Sequence, residues 1–370
     1  MIDTVYLHPL TLVAGPQLVD GAAVRLGGSM VYAREFALVM RREGAAVQRV
    51  LCTADTVADA IARLPDSVAD DAAQQWSNLA KVHPPLQLGN RTIRLDQPQI
   101  MGILNVTPDS FSDGGQHEAP DAARARASAM LEAGAAIIDI GGESTRPGAA
   151  ATFEDEEIRR VLPAIEFCAG MGAAISLDTR RAGVVAAGLA AGAHVINDVS
   201  ALRYDPRSID LVAGAGCPVV LMHAPGAGED LHAGGHYADV VSDVFDFLKA
   251  ARARALAAGI AEDRIILDPG IGFGKSLAEN LALVNALPLF HALGSPLLLG
   301  ASRKRMIGAL SAEEDADRRL AGSIALAIRG MDAGVQLVRV HDVAETVQAR
   351  NVWRGVKDAA LTDFSQLAMI

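Results

Sequence analysis

From Gln99 onward the chain repeats one unit eight times: a short apolar run, a polar or Gly-rich loop, then an Ala-rich amphipathic segment. The runs are IMGILN (100–105), AIIDIGG (136–142), AISLDT (174–179), HVINDVS (194–200), PVVLMH (218–223), RIILDPG (264–270), PLLLGAS (296–302) and LVRVHD (337–342). Each is rich in Val, Ile and Leu and lacks strict alternation, which is the pattern of strands buried on both faces of a parallel sheet. Several of the intervening segments carry acids early and bases late, as the helix dipole favours. Eight strand–helix units in roughly 260 residues predict a (β/α)8 barrel. A doubly wound sheet is the alternative, but it usually has fewer strands and opens on a GxGxxG turn that this sequence lacks.

Residues 1–95 break the pattern. VYLHPLTLVAG reads as a strand, SMVYAREFALVMRREGAAVQRVLCTADTVADAIARLP as helix, strand, helix, and LQLGNRTIRL (86–95) as a small hairpin leading into the barrel. The expectation is therefore a small α/β N-terminal segment (1–95), a barrel (96–358) and a C-terminal tail (359–370). No residue cluster in the first segment suggests chemistry, so it reads as structural or as a dimer contact, and its removal is expected to leave the chemistry unchanged.

Composition narrows the function. The net charge of −11 argues against a general nucleic-acid binder, because duplex affinity rests on Lys and Arg neutralising phosphates. It leaves room for a small anionic substrate in a local basic cleft. Cys52, Cys168 and Cys217 are far apart and form neither a disulfide framework nor a zinc site. No run reaches the ~18 apolar residues of a membrane span, and the N-terminus lacks the basic start of a signal peptide. A soluble, reduced, cytoplasmic protein is expected.

In such a barrel, chemistry collects where strands end. Those ends carry Asn105, Asp139, Asp178, Asn197–Asp198, Met222–His223, Asp268, Ser302-Arg303-Lys304, and Arg339 with His341. Capping explains polar residues at one or two ends, not at all eight, since burying such groups is costly without partners. Arg146, Arg339, Lys304 and His341, on Gly-rich loops, suit an oxyanion such as a diphosphate. Asp178, Asp268 and Asn197 suit a heterocycle that presents several N–H donors.

Simpler readings hold elsewhere. GIGFGKS fails the P-loop pattern, whose first Gly would fall on Pro269. HAGGH (232–236) reads as a solvent-exposed loop, because no third metal ligand stands nearby. His194 reads as a structural histidine, and Asp139, inside an apolar run, as an anchor for the loop behind it. On spacing alone Met222 reads as core.

Taken together the loops resemble the dihydropteroate synthase family. The matching stretches are NVTPDSFSDGG (105–115), GGESTRPGA (141–149), SLDT (176–179), INDVSAL (196–202), LMH (221–223), DPGIGFGK (268–275), GASRKRMIG (300–308) and RVHDV (339–343). The resemblance implies that 4-aminobenzoate displaces diphosphate from 6-hydroxymethyl-7,8-dihydropterin diphosphate, through loss of diphosphate to a pterin cation. It implies a pterin site of Asp178, Asn197, Met222, Asp268 and Lys304. Diphosphate would meet Asn105, Arg146, Arg339 and His341, with Asn105 also helping to bind Mg²⁺. Thr145, Arg146, Phe273, Ser302 and Lys304 would line the 4-aminobenzoate pocket, where sulfonamides bind in this family. Asp178, Lys304, Arg339 and His341 would carry the catalysis, in a homodimer.

The sequence departs from the family after LMH, where Ala224-Pro225-Gly226 stands in place of a frequent Met. The N-terminal segment is absent from the minimal enzyme and too short to be the preceding pathway kinase. A pterin-binding methyltransferase acting on methyltetrahydrofolate would share the barrel but has no need of STRPG, SRK or RVHD. A silent paralogue would lack a loop residue, and every expected one is present.

Overall fold

The computed structural model describes residues 2–13, 22–107, 118–144, 152–228 and 230–361. The N-terminal segment begins with four strands: β1 (Thr4–Val13), β2 (Val24–Arg25), β3 (Tyr32–Arg42) and β4 (Ala45–Thr53). In this antiparallel sheet β3 is central, with β1 on one side and β2 and β4 on the other. Helices α1 (Val57–Ala62) and α2 (Asp66–Leu79) and the hairpin β5 (Leu86–Leu88) and β6 (Arg91–Ile93) follow. The expected first helix after Ser29 is therefore a strand. Phe36, Leu38 and Met40 alternate onto one buried face, and Glu43 and Gly44, both at positive φ, form a two-residue turn into β4. Period 2 and turn chemistry override the helix-forming Ala, Glu and Arg there.

The barrel strands are β7 (Gln99–Asn105), β8 (Ile137–Gly141), β9 (Ile175–Asp178), β10 (Val195–Asp198), β11 (Val219–Met222), β12 (Ile265–Asp268), β13 (Leu298–Leu299) and β14 (Leu337–Val340). All run parallel in the order β12-β11-β10-β9-β8-β7-β14-β13, and a parallel bridge from Leu267 to Leu297 closes the ring. The (β/α)8 expectation holds. The helices are α3 (Glu118–Glu132), α4 (Glu154–Gly170), α5 (Ala182–Ala191), α6 (Ser208–Ala215), α7 (Val240–Ala257), α8 (Leu277–Asn285), α9 (Arg305–Ser311), α10 (Leu320–Asp332) and α11 (Val343–Leu361). Several starts and stops are written locally. Asp239 caps α7, Ser276 and Glu279 form a capping box on α8, and Gly192 and Gly216 end α5 and α6 in the left-handed region.

The barrel interior is layered. Met101, Ile137, Ala174, Val195, Val220, Ile266, Leu298 and Leu337, one from each strand unit, form an apolar bottom layer, which Leu86, Leu88, Ile93 and Leu95 of the β5–β6 hairpin cover. Because strand side chains alternate with period 2, residues two further along face the same interior. Those are Ile103, Asp139, Ser176, Asn197, Met222, Asp268, Gly300 and Arg339. The apolar plug and the polar mouth are thus consecutive layers of one barrel. The N-terminal segment joins the same core: Val5, Leu7, Phe36 and Leu79 cluster with barrel residues such as Phe245 and Phe290.

Candidate active site

Arg339 stands at the centre of the second layer. Its Nε donates to Asp139 Oδ2 at 2.6 Å and its Nη2 to Asp178 Oδ2 at 2.6 Å. Asn197 Nδ2 donates to the same Asp139 oxygen at 3.2 Å. Burial opposes the guanidinium's charge, but the two carboxylates more than offset it and keep Arg339 protonated. Asp139 is fully buried, and its Oδ1 has no partner among the described residues. Its place inside an apolar run suggests a loop anchor, whereas the structure makes it a residue that orients Arg339. The signal was its parity, in register with the inward positions of β8.

Asp178, at the end of β9, is pushed up to about 7 by burial, against the pull of Arg339 and with a further push from Asp139. Asp268 ends β12 and accepts the Gly270 N–H at 2.7 Å. Burial raises it to about 6. A Cβ on Gly300 would sit 3.7 Å from Asp268 Oδ2 and 3.9 Å from Arg339 Cδ, so the small residue on the strand's inner face leaves the pit open. Lys304, just before α9, brings Nζ to 4.2 Å from the Phe273 ring centroid. Burial and Arg339 lower its pKa to about 8. Gly272, at φ +85°, comes so close to Lys304 that a Cβ would lie 2.9 Å from its Cδ. Met222 lies outside the main core, in a small apolar cluster with Val199, Ala224, Leu231 and Phe273. That places it at the mouth rather than in the core that its spacing suggested. His232, from the HAGGH stretch, stacks on Phe273 with ring centroids 5.2 Å apart.

After β13 and β14, Ser302 Oγ and His341 Nδ1 are 3.0 Å apart, and the His341 backbone N–H donates to the same Oγ at 3.2 Å. Burial and Arg339 hold the His341 imidazole down to about 3. At neutral pH it is therefore uncharged and offers a hydrogen bond. Arg303 turns away and pairs with Asp342 at 2.5 Å. Asn105 and Asp178 flank Gly141: a Cβ there would lie 3.7 Å from Asn105 Oδ1 and 3.8 Å from Asp178 Cγ. Thr145, Arg146 and most of the NVTPDSFSDGG loop fall outside the described residues.

Two further groups escaped the sequence reading. Lys275 is half-buried and bonds Gly270 O at 2.8 Å, Phe273 O at 3.0 Å and His223 Nδ1 at 2.9 Å, so it pins the loop after β12 to the end of β11. Burial lowers its pKa to about 7. Arg180 and Arg181, after β9, both pair with Glu143 after β8, at 3.0 and 2.8 Å, and Arg181 also pairs with Glu157 of α4 at 2.7 Å. The doubled Arg after SLDT was the available signal.

Among the described residues, no group of three His, Cys, Asp or Glu could hold a metal ion. Asn105 still offers a hard amide oxygen beside the Asp178 carboxylate. That donor set fits Mg²⁺, which keeps several waters and is usually held by one or two protein oxygens together with substrate phosphates.

A family profile described as "Pterin binding enzyme" matches residues 101–341. Dihydropteroate synthase of Neisseria meningitidis serogroup B is 48% identical over 276 residues, which cover 73% of this chain and 96% of that protein. The Escherichia coli K12 enzyme of the same name is 45% identical over 262 residues, 70% of this chain and 92% of that one. The Xanthomonas albilineans dihydropteroate synthase solved with 4-aminobenzoic acid superposes with a TM-score of 0.71 at 48% identity, covering 75% of this chain and 99% of that one. The chain belongs to the dihydropteroate synthase family of pterin-binding enzymes.

Proposed function

We propose that this barrel mouth joins 6-hydroxymethyl-7,8-dihydropterin diphosphate to 4-aminobenzoate, giving 7,8-dihydropteroate and diphosphate. The observation that carries the reading is the central Arg339, clamped between Asp139 and Asp178, with Asn197, Asp268 and Lys304 around one pit. The solved relatives include a Xanthomonas albilineans enzyme in complex with 7,8-dihydropteroate and a Yersinia pestis enzyme with a sulfonamide drug.

Asp268, Asn197 and Lys304 hold the hydrogen-bonding edge of the pterin, and Met222 covers its face. Asp178 accepts from the ring and, when ionised, opposes positive charge that develops as the methylene–oxygen bond to diphosphate breaks. Arg339 and the neutral His341 meet the departing oxygens, together with Arg146. Mg²⁺, held by Asn105 and the diphosphate, would lower the energy of the leaving anion when bound. The amine of 4-aminobenzoate then forms the new carbon–nitrogen bond and gives up a proton. Being weakly nucleophilic, it needs positioning, which Thr145, Phe273, Ser302 and Lys304 supply. A sulfonamide competes for that pocket. A homodimer accounts for the exposed Val352 and Val356, one turn apart on α11.

Asp178→Asn removes the charge aimed at the cation while keeping shape. It should lower turnover at least about a hundredfold with an unchanged circular dichroism spectrum. Near-normal turnover would remove Asp178 from the mechanism.

A further inference from the structure

The N-terminal sheet does not lie flush on the barrel. Between the face of β1, β3 and β4 that looks away from α2 and the start of α7 lies a cavity of about 580 Å³. No residue lining it belongs to the mouth described above. Its walls are largely apolar: Leu10, Ala37, Val39, Val47, Val241 and Leu289. Leu10 is 39% and Val47 48% exposed, so this apolar surface is open to water.

The polar groups in the cavity are unequal in sign. Asp239 is the only carboxylate among the lining residues, and it is already engaged. It pairs with Arg41 at 2.5 Å, and its Oδ1 accepts the Val241 and Ser242 N–H groups at 3.0 and 3.2 Å as the cap of α7. Arg41 is further occupied by Gly44 O at 2.9 Å. Arg49 is left: among the described residues no carboxylate stands within ion-pair range of it. Beside it is His8, whose imidazole burial and the charge of Arg49 hold down to about 4. Arg41 and Asp239 cancel, so Arg49, exposed on β4, leaves the lining with one net positive charge next to apolar walls.

We propose that this groove is a binding site for a small organic anion with a flat apolar body, such as an aryl carboxylate, whose charge pairs with Arg49 and whose ring lies against Val39, Val47 and Leu289. The site exists only where the N-terminal segment meets the barrel. It therefore gives that segment a ligand-binding role outside the condensation itself.

The test is calorimetric titration of the full chain with 2-naphthoate and, as the uncharged match, 2-naphthalenemethanol. Arg49→Ala should weaken naphthoate about tenfold, the usual consequence of losing one charge-assisted hydrogen bond, and leave the alcohol unchanged. Val47→Asp, on an exposed wall position, should weaken naphthoate by repulsion, and Arg49→Lys should restore most of the affinity. Filling the mouth with the pterin diphosphate and sulfanilamide, which carries no carboxylate, should leave naphthoate binding intact. Three results would overturn the assignment: no naphthoate binding at millimolar concentration, equal affinity in wild type, Arg49→Ala and Val47→Asp, or loss of naphthoate binding when the mouth is filled with the pterin diphosphate and sulfanilamide.

Discussion

At the scale of single residues the mouth is a set of groups held away from their usual protonation. Asp178 is raised from 3.8 to about 7. Between those two pH values the folded state keeps a proton that the unfolded chain has released, so this group's contribution to stability falls as pH rises. Asp178→Asn lacks that dependence. Urea denaturation at pH 5 and pH 8 should therefore show the variant gaining stability relative to the wild type at the higher pH. A constant or opposite difference would place Asp178 in a more solvated setting than the structure gives it. Most of these residues were legible beforehand, because a polar residue at the end of a Val/Ile/Leu run has no other obvious purpose. Asp139 was less so: one acid inside an apolar run has the same sequence signature whether it anchors a loop or orients an arginine. Only its inward parity, and the partner 200 positions away, separate the two.

At the scale of elements, the eight barrel strands were readable because parallel strands buried on both faces leave continuous apolar runs. The N-terminal strand β3 was not, since its Arg, Glu and Ala content mimics a helix while its alternation and turn are modest signals. The hairpin β5–β6 was visible as a hairpin, but its use was not. It seals the bottom of the barrel with Leu86, Leu88, Ile93 and Leu95. Leu88 is 1% exposed, and Leu88→Ala should destabilise the protein by about 2–5 kcal/mol through lost burial and a residual cavity. The bottom layer is separate from the chemistry, so the KM for 4-aminobenzoate should be unchanged. A raised KM with little loss of stability, measured by denaturation and initial rates, would mean that the plug and the mouth are coupled.

For the whole molecule, the expectation that residues 1–95 can be removed needs refinement. Asn78 Nδ2 donates to Ala292 O at 2.9 Å, Gln336 Nε2 to Gly27 O at 3.1 Å, and Tyr6 OH to Asp246 at 2.7 Å. The segment thus shares both core and hydrogen bonds with the barrel. Removing residues 1–95 also removes the plug. Such a truncation should be less stable and more prone to aggregate than one ending at residue 84, while any folded fraction retains its turnover per active site. Equal melting temperatures for the two truncations would show that the plug is dispensable. The account as a whole rests on the mouth performing one condensation. Its most direct test is to incubate the purified full chain with Mg²⁺ and 6-hydroxymethyl-7,8-dihydropterin diphosphate, with and without 4-aminobenzoate, and to measure diphosphate and 7,8-dihydropteroate together. The account predicts equal amounts of both products, sustained only when the amine is present; tight binding of the pterin diphosphate with no dihydropteroate formed would contradict it.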